Sequence, residues 1–350
     1  MRCDNKLLRS IIAVMIAAAL LWMPQVSAAV YAEDDITYHE TGDEAAAELR
    51  EAMKERREKV TIGVLGKTDQ DGLKEIIGAF LDRATEHTGE PTEGDYINFQ
   101  YASYKGAAQT TLDGLSPAIR VEYTLEYYDN AEQEKAVDEK VSEITGKLGL
   151  GRKTDYEKLV AIYNYICSTT EYEQAEDDSD IRRTAYGALV DGKAVCQGYS
   201  LALYRLLLEA GVDNRIIYGK GLQPDGGEGP HTWNIVDLYG KYYYVDVTWD
   251  DATYGREYFL RPAGSGFENE HKADEEYPED YFTEQYPLAT EPFPGDIGGS
   301  TLKILWAAQD TEEILRQGVR SVLPEKEAET GGLPDFLQNI SKALKQFLLQ

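Results

Sequence analysis

The sequence predicts a mixed helix-and-strand protein, on three observations. Several segments carry apolar residues at helical spacing, notably Leu73 to Ala84, Asp155 to Ser168 and Gln197 to Leu208. Others alternate as strands do, notably Tyr96 to Tyr104, Ile119 to Tyr128 and His231 to Val236. The composition is globular, with 42% hydrophobic and 28% charged residues over a 350-residue chain, enough for one large domain or two ordinary ones around a buried core. Tyrosine, at 25 against 8 Phe, suits strands and half-wet surfaces, and so a β-containing protein with a polar cleft.

Charge removes whole classes of partner. The chain has 35 Lys+Arg against 63 Asp+Glu, a net charge of −28. Such a field repels phosphate backbones and anionic lipid, so no nucleic-acid partner and no anionic membrane surface is expected. Three cysteines are too few for a disulfide framework.

Residues 1–32 read as a secretory signal peptide. Arg2, Lys6 and Arg9 form a basic start, Ile11 to Trp22 is an apolar run, Pro24 ends it, and small residues follow. Cleavage is expected after Ala32, ahead of Glu33-Asp34-Asp35, with Ala28 as the alternative site. The apolar run is short for a span of ~20 residues. An uncleaved anchor from Ile11 to Ala32 is the alternative reading, and would tie the chain to a membrane. The mature chain, expected outside the cell, keeps Cys167 and Cys196.

Residues 33–152 read as a small α/β region. Residues 43–58 form an exposed helix with Thr41 and Glu44 as a capping box, and Val60 to Leu65 forms a strand. A helix from Leu73 to Ala84 puts Ile76, Ile77, Phe80 and Leu81 on one face. The strands Tyr96 to Tyr104 and Ile119 to Tyr128 follow, then a charged helix from Ala131 to Leu148. His39 and His87 have no Cys or acidic partner at metal-ligand spacing.

The segment 153–290 opens with the helix from Asp155 to Ser168, where Cys167 falls on the apolar face as a core residue. The acidic run Glu176 to Asp180 lacks the glycine and terminal glutamate of an EF-hand and reads as a solvated loop. From about Arg261 to Ser300 the chain reads as irregular structure or linker, with His271 in an acidic loop and without a role. Residues 291–350 end in a stripe of Leu333, Phe336, Leu337, Ile340, Leu344, Phe347 and Leu348. That stripe reads as a helix docked on its own domain, with a partner or membrane-surface helix as the alternative.

Chemistry concentrates between Thr184 and Asp251. Gln197 to Leu208 reads as a buried helix that stops at Gly211, so Cys196 sits at or near its N-terminus. Unpaired N–H groups and the helix dipole favour a thiolate at that position. After a strand from Val212 to Gly219 and a Gly/Pro loop to Pro230, His231 to Val236 and Tyr242 to Trp249 read as a hairpin turning at Tyr239-Gly240. With Tyr239-Gly240 as a two-residue loop, His231 opposes Thr248 and Asp246 is its diagonal neighbour. With Leu238-Tyr239 as the loop, His231 and Asp246 are directly opposite. Both registers put imidazole and carboxylate on one face, whereas a three-residue loop would separate them. Cys196, His231 and Asp246 thus form a candidate nucleophile, base and orienting acid, with the Cys196 backbone N–H available to an oxyanion. Trp233 and Trp249 read as core or cleft walls, and Asp250 and Asp251 as loop acids. Gly219-Lys220-Gly221 lacks the third glycine and the strand–helix setting of a dinucleotide site.

Three strings resemble the transglutaminase-like superfamily of papain-like cysteine enzymes. They are Tyr186-Gly187-Ala188-Leu189 through Cys196-Gln197-Gly198-Tyr199, His231-Thr232-Trp233-Asn234, and Val245-Asp246-Val247-Thr248-Trp249-Asp250, with Tyr258-Phe259-Leu260 like the family's closing strand. The N-terminal region looks like that of exported bacterial members. The resemblance implies an α+β fold with the Cys helix packed on an antiparallel sheet, and Cys196, His231 and Asp246 as the triad. It also implies a thioester-forming enzyme acting on peptide or glutamine-type amides of a peptide or protein, cell-wall peptide included. Hydrolysis is favoured, since amine transfer needs a cleft that excludes water. Crosslinking by amine transfer and a non-catalytic peptide- or cell-wall-binding module are the alternatives. No cofactor or metal is implied; papain's glutamine six residues before the cysteine is Val190 here, and no side-chain oxyanion donor stands out.

Overall fold

Local capping chemistry sets the first boundaries. The structure, a computed structural model, describes residues 36–173, 180–222, 226–253 and 255–294. The segment 1–32, most of the acidic run from Glu176 and the stripe from Leu333 lie outside them. After a short strand, β1 (Tyr38–His39), Thr41 accepts from the Glu44 N–H and the Glu44 carboxylate accepts from the Thr41 N–H, both at 3.2 Å. This box starts α1 (Gly42–Lys54), which ends earlier than periodicity suggests. Arg56 adopts φ 57° and turns its guanidinium onto Asp129 and Glu134, each 2.7 Å away and buried.

The chain continues through β2 (Lys59–Leu65) and α2 (Gln70–Ala84), the latter capped by Asp69. The stretch from Tyr96, expected as strand, begins instead as one helical turn, α3 (Asp95–Asn98), before β3 (Tyr101–Asp113) and β4 (Ser116–Tyr127). The reason is the buried carboxylate of Asp95. It accepts two hydrogen bonds from the Arg215 guanidinium, at 2.7 and 2.6 Å, and a third from the Ile216 N–H at 2.8 Å. Meeting those donors outweighs the alternating pattern, which had suggested an extended chain.

Among the described residues, the first sheet runs β1-β2-β4-β3, with β1–β2 parallel and the other pairs antiparallel. Its core joins Leu49 and Met53 of α1, Phe80 and Leu81 of α2, and Ile62, Val121 and Leu125 of the sheet. Next comes α4 (Ala131–Leu148), capped by Asn130 and stopped by a left-handed Gly149.

The second half places a helix against an antiparallel sheet. It comprises α5 (Asp155–Thr169), the parallel pair β5 (Glu171–Tyr172) and β6 (Lys193–Ala194), α6 (Cys196–Glu209), β7 (Asn214–Leu222), β8 (Glu228–Asp237), β9 (Tyr242–Val245), α7 (Val247–Thr253), α8 (Phe267–Glu270) and β10 (His271–Ala273). The sheet order is β10-β7-β8-β9, antiparallel throughout. The fold is α+β, as expected. Every residue of α6 from Gly198 to Leu208 is buried, the signature of a helix enclosed on all sides. Ile216 and Val236 face α6, while Ile217, Trp233 and Ile235 point to the opposite face.

That opposite face corrects the expectation of a linker after Arg261. Phe267 of α8, Tyr286 and Leu288 pack with Trp233 and Tyr244 into an aromatic layer over the sheet. With both faces covered, β8 is buried continuously from His231 to Val236. No described helix is long and apolar enough to cross a membrane.

Polar clamps tie the N-terminal elements to this half. Besides Asp95–Arg215, His87 bonds Asp213 through Nε2 at 2.8 Å and the Tyr204 hydroxyl through Nδ1 at 3.0 Å. Glu134 accepts from the Tyr96 hydroxyl at 2.7 Å and lies 3.7 Å from Arg205 of α6. Replacing Asp95 with Ala leaves the Arg215 charge and the Ile216 N–H buried without their acceptor. The expected loss is about 3–5 kcal/mol in urea unfolding. A loss under about 1 kcal/mol would mean that stacking of Arg215 on Tyr281 and Tyr286 suffices to hold it.

Candidate active site

The site begins where α6 begins. Val195 precedes the helix in an extended conformation and supplies no side-chain cap. The first-turn N–H groups, Cys196 included, lack intrahelical acceptors and face whatever anion lies there. Cys196 is half-buried. Gly198 permits this start to be enclosed, because a Cβ there would lie 2.6 Å from the Arg182 carbonyl oxygen and 2.8 Å from the Ala194 Cβ. Gln197 is engaged elsewhere, its amide donating to the Phe99 carbonyl at 2.6 Å.

The hairpin adopts the first of the two productive registers. Tyr239 and Gly240 form the turn with φ 61° and 86°, and the Leu238 N–H donates to the Lys241 carbonyl at 2.9 Å. Asn234 pairs with Val245, where the ladder stops. The expected strand from Tyr242 to Trp249 therefore ends at Val245, and α7 follows. Asp246 is the hinge. Its N–H donates to the Tyr258 carbonyl at 3.0 Å, and its Oδ1 accepts from the Trp249 N–H at 3.1 Å, the geometry of a helix N-cap. An aspartate between two valines is a poor strand residue and a good cap.

Its other oxygen serves the site. Oδ2 lies 2.7 Å from His231 Nε2 and 2.9 Å from His271 Nε2. Burial alone would raise the Asp246 pKa, but the charge and hydrogen bonds of His231, then those of His271, hold it well below the usual carboxylate range. An ionised carboxylate only accepts, so both Nε2 atoms carry protons. The Nδ1 of His231 is then the atom left to meet Cys196, whose thiol lies near enough for each group to shift the other's pKa. Burial opposes the charged imidazole, yet Asp246 and then Cys196 push the His231 pKa up to about 10. Burial likewise opposes the Cys196 thiolate, but the hydrogen bond and charge of His231, then Thr232, bring that pKa below the ordinary thiol value. The three residues singled out by spacing are brought together, in the order thiol, imidazole, carboxylate.

The walls are aromatic and tight. Trp249 stacks on His231 at 5.0 Å and 25°. Gly221, on the neighbouring strand, is required by this packing, since a Cβ there would lie 2.9 Å from Trp249 Cζ2 and 3.1 Å from the His231 ring carbon Cγ. Asp250 and Asp251, expected in a loop, belong to α7. Asp250 is buried and accepts from the Tyr163 hydroxyl and from the Tyr258 N–H. Burial pushes its pKa up to about 6, against those hydrogen bonds. Asp251 accepts from the Tyr199 hydroxyl at 2.7 Å. Cys167 packs against the core as expected and borders a 650 Å³ cavity lined also by Thr170, Tyr172 and Asp251. Burial, then the charges of Asp251 and Asp250, push its thiol well up.

His271 is the residue that sequence reasoning missed. It is buried at the sheet edge, not in an acidic loop. The signal lies in register, since β10 pairs His271 with Gly221 beside His231. Among the described residues, His231, Asp246 and His271 are a group whose potential metal-ligand atoms lie within 4.8 Å of one another. With both Nε2 protons donated to the carboxylate, neither nitrogen offers a lone pair to a cation, so the arrangement suits a hydrogen-bonded triad better than a metal.

Residues 142–247, a span that includes Cys196, His231 and Asp246, match the family described as Transglutaminase-like superfamily. The match is to a transglutaminase-like domain and is confined to this span of the α+β chain. Two curated relatives are Kyphoscoliosis peptidase of Homo sapiens, 32% identical over 143 residues, and that of Mus musculus, 32% identical over 138 residues. The matches take in 34% and 32% of this chain. The chain spans about a fifth of the length of these relatives, 21% and 20%. Among solved structures, one titled as a TGase matches at 16% identity and a TM-score of 0.29, over 55% of this chain and 51% of that one.

Alkylation tests the electrostatics directly. Cys196 is expected to react fast well below pH ~8.5, the ordinary thiol value, because its thiolate persists to lower pH. His231→Ala should slow the reaction at pH 6 by roughly tenfold or more. Cys167, in the same molecule, should react slowly throughout. Equal profiles for the two thiols would mean that no ion pair forms at Cys196.

Proposed function

We propose that the protein is a cysteine hydrolase of peptide or glutamine-type amide bonds, with Cys196 as nucleophile, His231 as base and Asp246 as orienting acid. The observation that carries this reading is the placement of the Cys196 thiol, at the start of α6, beside His231, whose Nε2 lies 2.7 Å from the carboxylate of Asp246. In this reading His231 Nδ1 takes the thiol proton and Sγ attacks the amide carbonyl carbon. The oxyanion that forms faces the Cys196 N–H at the uncapped helix start. The imidazolium then gives its proton to the leaving amine, the C–N bond breaks and a thioester remains. Water, losing a proton to His231, attacks the thioester; the C–S bond breaks, an acid leaves and the thiol is restored. Asp246 keeps its charge throughout and holds the ring in the tautomer that presents Nδ1 to sulfur.

The name peptidase on the relatives supports hydrolysis over amine transfer. The substrate in this reading is a peptide or protein, cell-wall peptide among the candidates, met outside the cell after removal of residues 1–32. An enzyme sending its thioester to water releases free acid and ammonia or amine, and leaves little label in protein. Incubation with a glutamine-containing protein, a peptide library and a labelled amine is therefore expected to yield hydrolysis products that Cys196→Ala abolishes. Stable amine adducts outnumbering hydrolysis would reassign the protein to crosslinking. A peptide bound with neither product would reassign it to a binding module.

A further inference from the structure

We infer that His271 is a positioning residue of the triad, a second imidazole that fixes the carboxylate of Asp246 for His231. This deepens the reading of Cys196, His231 and Asp246 as a triad and rests on it. The carboxylate of an aspartate turns easily about its last torsion, which has a broad, two-fold profile. One hydrogen bond to Oδ1, from the Trp249 N–H, leaves that rotation loosely set. A second donor on Oδ2, besides His231, sets it. His271 supplies that donor at 2.9 Å from a strand and a side of the site different from those of His231.

The ring of His271 is itself held in place. It stacks on Phe267 at 3.7 Å and 13°, meets Trp233 edge-on at 5.1 Å, and packs against Trp249 at 4.3 Å. Its Nδ1 lies 3.2 Å from the Phe267 carbonyl oxygen. A fully buried histidine with Nε2 bonded and one face stacked has little rotational freedom to lose, so it can transmit rigidity to the carboxylate. The titratable groups facing this cluster are His231 on β8, Cys196 on α6, Tyr172 on β5, Tyr258 beside β9 with Glu270 of α8 bonded to it, and Asp250 on α7. His271 thus sits behind the carboxylate as the carboxylate sits behind His231.

The test is the pH profile of Cys196 alkylation in the full chain, with His271→Phe and His271→Gln. Phe keeps the stacked ring and removes the donor. Gln places an amide N–H near the position of Nε2. With the donor gone, the carboxylate turns more freely and holds His231 less well, so the basic limb of the profile, where imidazolium loses its proton, should move down by about half a unit to one unit in the Phe variant. The Gln variant should keep the limb of the unaltered protein. A limb unmoved in both variants, with only the melting temperature lowered, overturns the inference and leaves His271 as core packing. An equal shift in both overturns the donor role. An ordinary thiol profile in the unaltered protein overturns the triad reading and this inference together, a result distinct from either. Should the Phe variant fail to fold, the downfield proton spectrum of histidine-labelled protein decides the matter. Hydrogen-bonded Nε2–H signals from both rings support the shared carboxylate, and a signal from His231 alone overturns it.

Discussion

The site depends on one buried carboxylate doing two jobs. Asp246 ends the ladder of β9 and caps α7 through Oδ1, and it receives the imidazole of His231 through Oδ2. An unpaired charge at this depth would cost several kcal/mol. Three donors from three directions offset that cost, and each fixes a different element: a helix start, a β8 side chain and a β10 side chain. The carboxylate cannot satisfy its own desolvation without assembling the site. Folding energy and chemical competence thus fall on the same atoms, and the low pKa of Asp246 reports both.

Around that centre the layers have separable tasks. Helix α6, enclosed on all sides, delivers Cys196 at its uncapped end and holds it by the close approach that Gly198 allows. The sheet presents His231 from an interior strand, where burial and neighbours on both sides leave one ring position. The aromatic layer of Trp233, Trp249, Phe267 and Tyr258 keeps water from the imidazole–carboxylate bond while leaving Cys196 half-exposed. In such a low-dielectric pocket the charge pair between His231 and Asp246 is strong, and small rotations of either group matter.

Much of this was legible in the residues. The start of α6 follows from an apolar run opening beside Cys196, and the capping box at Thr41 marks a helix start that the structure keeps. Both two-residue loops open to the hairpin put His231 and Asp246 on one face, and the protein takes the one that turns at Tyr239-Gly240. What escaped were features set by long-range polar partners. Asp95 turns its segment into helix because Arg215, 120 residues on, is there to meet it. Asp246 leaves the strand because α7 needs a cap and His231 needs an acceptor. His271 looked like one more polar residue in an acidic stretch, since its aromatic slot is built from Phe267, Trp233 and Trp249, which come together only in the folded sheet. Local pattern reads propensity; it does not read which buried charge lies across the core.

The clamps between the N-terminal elements and the sheet that carries His231 bear on how this protein could be divided. A fragment starting near residue 153 looks natural by sequence, since all three candidate site residues and the helix beneath them follow it. Such a fragment would strip Asp95 from Arg215, His87 from Asp213, and Glu134 and Asp138 from Arg205, exposing apolar flanks of α6 at the same cut. Evolutionary shuffling of this unit, or its use as a portable module, would therefore have to carry the preceding hundred or so residues along or replace each lost counter-charge. The small α/β region is bound into the inheritance of the site although it contributes no atom to it.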